Sequence, residues 1–293
     1  MRPRAALLGA ILVCAAPAAA QRFEVPPLVE PASDEHHVGK FIWADLVTPD
    51  LAAAERFYSG LLGWTFQDLR AGERGYAVAL LDGLPVAGLI QRPEPPERRP
   101  AWLGFIAVRD VDEMKRAALD HGATVVFEPK TYPKRGRQAV LADPEGVAFG
   151  VLASTSGDPG DFLVDPGGFI WGSLLARDPD REAAFYQTLF GYEVFELPSE
   201  GQSHLILSSE NFARASVNSL PGGAVRRGPH WLIFVRVTDA ADAAARAVSL
   251  GGRVVVEPHM DRHGARVALV ADPAGALLGL MEWSDVAAAE GPK

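Results

Sequence analysis

The chain contains a long internal repeat, and this duplication constrains its fold more than any other feature. Phe41-Ile42-Trp43 recurs as Phe169-Ile170-Trp171, and Ala142-Asp143-Pro144 recurs as Ala271-Asp272-Pro273. Since solenoid repeats are only about 20–50 residues long, a repeat of this much greater length indicates duplicated domains. We predict two domains of one fold, over residues 38–154 and 167–286. A linker at 155–166, containing Ser, Gly, Asp and Pro, joins them, and a short tail follows at 287–293.

Each repeat is built of two similar halves. Asp50 and Asp110 each begin a predicted helix, and Gly63 and Gly122 each follow one. A strand-like apolar run precedes each helix, and three short β-rich runs separated by Gly, Pro and Asp come after it. The half-repeat therefore reads β-α-β-β-β, which predicts an α+β fold.

The N-terminal segment at 1–20 has the parts of an export signal. Arg2 and Arg4 give a positive start, residues 5–16 are almost entirely apolar, and Ala18-Ala19-Ala20 fits the A-x-A cleavage pattern. The apolar run is shorter than the roughly 20 residues that a bilayer span needs. We expect cleavage after Ala20 and delivery to the periplasm or the exterior.

Cleavage after Ala20 leaves an N-terminal lead-in at 21–37. The alternative is a lipoprotein anchored through Cys14, but the bulky Val13 stands where a small residue normally precedes a lipidated cysteine. Since Cys14 is the single cysteine, no intrachain disulfide can form, and the cleaved chain has no thiol to act as nucleophile or metal ligand.

Composition and charge exclude several classes of function. The net charge is −9 and the pI near 5.3, so nothing indicates the basic surface of a general nucleic-acid binder. Beyond the export signal no apolar run approaches the length of a bilayer span, so no stable membrane span is predicted. The motifs of serine hydrolases, zinc peptidases, P-loops and dinucleotide-binding proteins are also absent from the sequence.

Three pairs of motifs recur in the same order in both repeats. They are FIWADLVTPDLAAAERFYSGLLGW at 41–64 with FIWGSLLARDPDREAAFYQTLFGY at 169–192, WLGFIAVRDVDEM with WLIFVRVTDAADA, and LADPEGVAFGV with VADPAGALLGL. They resemble the vicinal oxygen chelate superfamily, which includes glyoxalases and bleomycin-resistance proteins. The chain is similar to its tandem glyoxalase-like members, whose strands open with F-x-W. The resemblance implies that each domain consists of two βαβββ modules forming a half-open, eight-stranded barrel around a cavity.

The resemblance also implies one divalent metal ion per barrel, held at four equivalent strand positions by His, Glu or Gln. Here those positions are Trp43, Gly88, Leu103 and Gly150 in the first domain, and Trp171, Ser216, Leu232 and Gly279 in the second. Transition metals in proteins need imidazole, carboxylate or thiolate donors, and these positions supply none. We therefore predict no metal or cofactor, and expect the glycines to leave a hollow in each barrel.

Tryptophan beside small residues predicts a pocket for a planar or apolar organic molecule. Asp45 and Ser173 share a strand face with Trp43 and Trp171, because side chains alternate along a strand. The candidate ligand-binding residues are Trp43, Asp45, Trp102, Trp171, Ser173, His204 and Trp231. The alternative for each tryptophan is core packing, where large aromatic side chains are commonly found.

The predicted function is that of an exported glyoxalase-like protein that binds a small planar or apolar organic molecule without the usual metal. The alternative is a metalloenzyme of lyase, isomerase or dioxygenase type, with non-standard ligands such as Asp45, His204 or Glu282. No catalytic residue is predicted. Because a tandem chain can pair its modules internally, we predict a monomer with a pseudo-dimeric core.

Overall fold

The computed structural model describes residues 24–69, 75–92, 99–198, 203–221, 228–261 and 264–283. The predicted export signal, Cys14 and the tail at 287–293 lie outside the described residues. Two eight-stranded sheets and four helices make up the regular structure of the described chain. Among these helices, none is long and apolar enough to cross a membrane.

The first domain contains two β-α-β-β-β modules, as predicted. The first module is β1 (Phe41–Thr48), α1 (Leu51–Leu62), β2 (Thr65–Asp68), β3 (Tyr76–Leu81) and β4 (Leu84–Gln91). The second is β5 (Ala101–Ala107), α2 (Val111–Asp120), β6 (Thr124–Tyr132), β7 (Gly136–Ala142) and β8 (Ala148–Ser154). The strand order is β2-β3-β4-β1-β5-β8-β7-β6, so the two modules meet where β1 and β5 pair antiparallel.

The second domain repeats this arrangement. Its first module is β9 (Phe169–Ala176), α3 (Pro179–Phe190), β10 (Glu193–Glu196), β11 (His204–Ser209) and β12 (Phe212–Ser219). Its second is β13 (His230–Val237), α4 (Ala240–Ser249), β14 (Arg253–Met260), β15 (Arg266–Ala271) and β16 (Leu277–Glu282). The order β10-β11-β12-β9-β13-β16-β15-β14 matches that of the first sheet. Each sheet is half open, as the resemblance implied.

The helices begin and end where the sequence places their caps. The Asp50 carboxylate accepts a hydrogen bond from the Ala53 amide, and Asp178 does the same for Arg181. Gly63 and Gly191 end α1 and α3 in the left-handed conformation, with φ of 75° and 68°. Equivalent caps therefore fix equivalent helices in the two repeats.

The apolar cores run between the domains. One cluster combines the first module with the last, and includes Leu46 and Phe57 together with Val235 and Leu280. A second cluster combines the two middle modules. Each helical face is thus buried against the other domain, which leaves the concave faces of the sheets for the barrels.

Candidate functional site

The strand registers place the eight predicted ligand positions on the concave faces. In the first domain the opposed residues are Asp45 with Gly88 and Leu103, and Phe105 with Trp43 and Gly150. In the second they are Ser173 with Ser216 and Leu232, and Phe234 with Trp171 and Gly279. Side chains of directly opposed residues project from the same face of a sheet. The predicted positions therefore surround the two barrel interiors.

The glycines in these barrels do not leave open space, so the expectation of a hollow at each was wrong. A Cβ atom at Gly150 would lie 2.3 Å from the Phe105 ring, and one at Gly279 would lie 2.1 Å from Phe234. At Gly88 the equivalent atom would lie 2.1 Å from the Asp45 carboxylate. Neighbouring side chains fill the volume that the missing side chains leave.

The first barrel has a buried polar centre. The Trp43 indole donates a hydrogen bond of 2.8 Å to Asp45, and the Tyr76 hydroxyl donates one of 3.3 Å to the same oxygen. The Arg135 guanidinium lies over the Trp43 ring, 3.7 Å from its centroid. Burial raises the pKa of Asp45, against the opposing effects of the Trp43 and Tyr76 hydrogen bonds and the Arg135 charge.

The lead-in covers this barrel. Leu28 is buried in an apolar cluster with Ile42, Trp43 and Phe105. The Leu28 amide donates a hydrogen bond of 2.9 Å to the Ser156 hydroxyl. Trp43 and Asp45 are consequently only 5% and 4% exposed.

The second barrel contains a network of neutral polar groups. The Asn218 amide donates hydrogen bonds of 2.8 Å to Ser173 and 3.0 Å to Ser216. The Trp171 indole donates one of 3.1 Å to Ser216. Since the Asn218 nitrogen is used in this way, its oxygen faces His204, whose Nδ1 donates to it. Three predicted residues, Trp171, Ser173 and His204, are thus brought together.

Asn218 is a member of this network that the sequence did not predict, although the repeat carries a signal for it. Its counterpart in the first repeat is Ile90, so the second repeat has gained a polar side chain at a strand position where the first is apolar. The other members of the network also differ from their counterparts, since Tyr76 corresponds to His204, Asp45 to Ser173, and Gly88 to Ser216. A polar residue in one repeat whose counterpart in the other repeat is different therefore indicates a candidate site residue, especially when several such residues share a strand register.

The concave face of the second barrel is open to solvent at its edges. Phe195 lies opposite Ile206, which lies opposite Ser216, and it is 50% exposed. Val256, in the row of Leu269 and Gly279, is 41% exposed. Two partly exposed apolar side chains therefore lie in register rows that contain predicted barrel positions, one on each edge strand of the sheet.

Trp102 and Trp231 do not line the barrels, contrary to their predicted role as ligand-binding residues. The Trp102 indole donates a hydrogen bond of 3.1 Å to the Tyr58 hydroxyl, which donates to Asp272 of the other domain. Trp231 donates likewise to Tyr186, whose partner is Asp143. Both tryptophans belong to the interdomain cores, because their side chains project from the helix-bearing faces of the sheets.

The described residues inside the barrels do not fit the metal site that the fold implies. The first interior offers Asp45, which Trp43 and Tyr76 already hold, and the second offers hydroxyls, an amide and the single imidazole of His204. Glu282 ends β16, and its carboxylate accepts a hydrogen bond from the amide of Ala240 at the start of α4. Asp45, His204 and Glu282 are therefore in three separate places, and they form no ligand set of the usual kind.

One group outside the barrels has metal-like spacing. The ligand atoms of His37, Asp161 and Glu210 lie within 4.8 Å of one another. However, Arg214 contacts Asp161 at 2.5 Å and Glu210 at 2.8 Å, and Lys40 contacts Asp161 at 2.8 Å. Burial would raise the pKa of Asp161, but hydrogen bonds from Arg214 and Lys40 lower it to about 2. Protein cations neutralise these carboxylates, so the group is better described as an ion-pair network that fastens the lead-in and linker to the second domain.

A crevice of about 500 Å³ opens between α2 and α3. Met114 and Leu189 line it, together with Asp110, which caps α2, and Glu210, which pairs with Arg214. None of the predicted site residues lines this crevice. The second barrel therefore remains the better candidate site.

Comparison with known proteins supports the same architecture. The sequence profile of the glyoxalase-like domain matches twice, over residues 42–152 and 173–281. A Mycobacterium bovis protein named "Putative glyoxylase CFP32" is 30% identical over 258 residues, covering 86% of this chain and 98% of the relative. The anthracycline biosynthesis protein DauV of a Streptomyces species is 31% identical over 266 residues, covering 85% of this chain and 96% of the relative.

Solved structures share the fold at low sequence identity. The Mn(II)-bound glyoxalase from Novosphingobium aromaticivorans aligns with a TM-score of 0.60 and 17% identity, over 84% of this chain and 83% of that one. The 2,3-dioxygenase LapB from Pseudomonas sp. KL28 aligns with a TM-score of 0.60 and 14% identity, over 84% and 93%. With two profile matches that span most of the chain, this protein belongs to the glyoxalase-like family of the vicinal oxygen chelate superfamily.

Proposed function

We propose that this protein is an exported binding protein whose second barrel holds a small, planar organic molecule without a metal ion. The observation that carries the proposal is the neutral polar network of Ser173, Ser216, Asn218 and His204 beside the partly exposed Trp171. Trp171 and Ser216 occupy two of the positions at which metal-binding members of the superfamily are expected to carry ligands, and here they take part in hydrogen bonds.

The geometry favours a neutral ligand with a polar edge. The Trp171 ring supplies a flat surface for stacking, and Phe195 and Val256 supply apolar walls. Hydroxyl and amide groups can both donate to carbonyl oxygens and accept from hydroxyl groups. The relatives named for anthracycline biosynthesis agree with this ligand class, since anthracyclines are planar polycycles edged with hydroxyl and carbonyl groups.

The test uses 1,8-dihydroxyanthraquinone as the probe, titrated by calorimetry. Trp171→Ala should weaken binding by about tenfold or more, because it removes the stacking surface. Phe195→Ala should weaken it about threefold while leaving the fold intact, because Phe195 is already half exposed. Val248→Ala, at an exposed position of α4, is the matched control and should change nothing.

A chelator arm separates this proposal from the metalloenzyme alternative. Prolonged treatment with EDTA should leave the affinity for the probe unchanged. Elemental analysis that finds one tightly bound transition metal per barrel would end the metal-free proposal and favour the alternative. Full affinity of both Trp171→Ala and Phe195→Ala would remove the second barrel as the binding site.

We also propose that the protein is exported and that it is a monomer. A single sample of purified protein can test both points. Protein recovered from the producing cell's periplasm or medium should begin at Gln21, and its intact mass should lack the segment at 1–20. Light scattering should give the mass of one chain, since the interdomain cores already bury the helical faces. An uncleaved or lipidated N-terminus contradicts the first expectation, and an obligate dimer contradicts the second.

A further inference from the structure

We propose that the first barrel contains a separate binding site for a small organic carboxylate, with Arg135 as its anchor and the lead-in as its removable cover. This inference does not rest on the function proposed for the second barrel. It starts from a cationic side chain that is 1% exposed and incompletely paired.

The Nε and Nη2 atoms of Arg135 form one hydrogen-bonding edge of the guanidinium, and only Nε has a partner in the described part of the chain. Its Nε donates a hydrogen bond of 2.7 Å to the Pro26 carbonyl of the lead-in. Its Nη2 is buried and has no hydrogen-bonding partner among the described residues. In a guanidinium these two nitrogens form a fork that matches both oxygens of a carboxylate. A ligand carboxylate would therefore satisfy the nitrogen that the single oxygen of Pro26 leaves unpaired.

The turn between β6 and β7 holds this cation in place. The Arg135 amide donates a hydrogen bond to the Tyr132 carbonyl, and the Arg135 carbonyl accepts one from Thr155. Gly136 has a φ of 118°, and a Cβ atom there would lie 2.0 Å from the Ala153 carbonyl oxygen. Only glycine permits this close approach. The counterpart of Arg135 in the second repeat is Gly264, so the second barrel has no equivalent cation at this position.

The lead-in has the character of a cover that can be displaced. The structure assigns no helix or strand to residues 24–40, and Ser156 anchors the segment through the Leu28 and Val29 amides and through the Ser33 amide. Leu28 provides the apolar side chain that packs against Trp43 and Phe105. A ligand with a compact aromatic body and one carboxylate would replace the Leu28 side chain and the Pro26 carbonyl together.

Asp45 limits the charge that the site accepts. Its carboxyl acts electrostatically on Arg135 and receives hydrogen bonds from Trp43 and Tyr76. Since Asp45 already places one carboxyl near Arg135, a ligand with a second carboxylate would add uncompensated negative charge. Monocarboxylates should therefore bind better than dicarboxylates.

The experiment uses 2-naphthoate as the probe and 2-naphthalenemethanol as its neutral counterpart. Leu28→Gly, which removes the apolar plug, should raise the affinity for naphthoate by about tenfold. Arg135→Gln should lower it about 30-fold in either background, because the charge-assisted fork is lost, and should alter binding of the alcohol by less than about twofold. Arg137→Gln is the matched control, since Arg137 lies on the same hairpin and pairs with Asp112 at the surface.

Naphthoate affinity that is unaffected by Arg135→Gln in a folded protein overturns the site, and so does absence of binding by the Leu28→Gly variant. A second measurement on the unaltered protein decides the matter if Arg135→Gln does not fold. Naphthoate should speed hydrogen exchange of the Leu28, Val29 and Ser33 amides, and unchanged or slower exchange refutes the displaceable cover. If the Leu28→Gly protein binds the anthraquinone but not naphthoate, this site alone is refuted. If it binds naphthoate but not the anthraquinone, only the second-barrel proposal is refuted.

Discussion

Glu182→Gln should raise the free energy of unfolding near pH 8 by about 3 kcal/mol or more, at about 1.4 kcal/mol per pKa unit, and should change it little near pH 4. The Glu182 side chain is fully buried in α3. Burial, followed by the charge of the neighbouring Asp143, raises the pKa of Glu182 to about 8. Asp143 also has a raised pKa, mainly because of burial, so the pair retains a proton that the unfolded chain would release.

The sign follows from proton uptake. Between the ordinary glutamate value of 4.5 and about 8 the folded chain binds more protons than the unfolded chain, so its stability falls as the pH rises through this window. Glutamine has nearly the same shape and no charge, and therefore removes this loss. Urea unfolding at several pH values measures the effect, and a variant whose stability still falls as steeply as that of the parent contradicts the assignment.

Two further variants serve as controls for this prediction. Ala54 is the counterpart of Glu182 in the first repeat, so Glu182→Ala introduces the residue that the equivalent helix already has at this position. Glu182→Ala should remove the same pH dependence of stability. It should also lower the free energy of unfolding at every pH, because the packing of the longer side chain is lost. Glu193→Gln, at an exposed position of β10, should leave the pH dependence unchanged.

Asp272→Ala should lower the free energy of unfolding by about 4 kcal/mol, since each buried group left unpaired costs about 1–3 kcal/mol. One carboxylate oxygen accepts hydrogen bonds from the amides of Gly275 and Ala276, at 2.7 and 2.8 Å. The other accepts one of 3.2 Å from Tyr58 of the first domain. The substitution therefore removes support from a tight turn and from the domain interface together.

Comparison variants separate these two contributions. Tyr58→Phe removes only the hydroxyl and should cost about 1–2 kcal/mol. Asp239→Ala removes the exposed cap of α4 and should cost about 1 kcal/mol. Denaturant unfolding compares all three, and a loss for Asp272→Ala no larger than that for Asp239→Ala would refute the role given to the interdomain contact.

The repeat made the architecture predictable, because matching caps and matching strand runs determine matching modules. It also gave the register rows correctly, since Trp43 and Trp171 lie on the concave faces as expected. The contents of the barrels were harder to predict. Whether Phe105 fills the space beside Gly150 depends on how two strands are paired, and neither residue shows this by itself.

The lead-in and Arg135 were also beyond prediction from the sequence. Nothing in the pattern of residues 24–37 shows that Leu28 packs into a barrel, because the segment has neither helical nor strand periodicity. Trp102 and Trp231 were misassigned for a related reason. Each is the strand neighbour of a residue on the concave face, and successive side chains on a strand project from opposite faces of the sheet.

The crossed cores have a consequence for how this chain can be divided. Phe57 packs on strands of the second domain, and Phe149 packs against Phe185, so each half completes the other. Neither domain expressed alone would have a complete hydrophobic core. Each would expose an apolar surface on which another molecule, including a second copy of itself, could bind. Cleavage of a peptide bond in the linker at 155–166 should leave the two domains assembled. The linker is therefore a suitable place to split the protein into two complementing fragments.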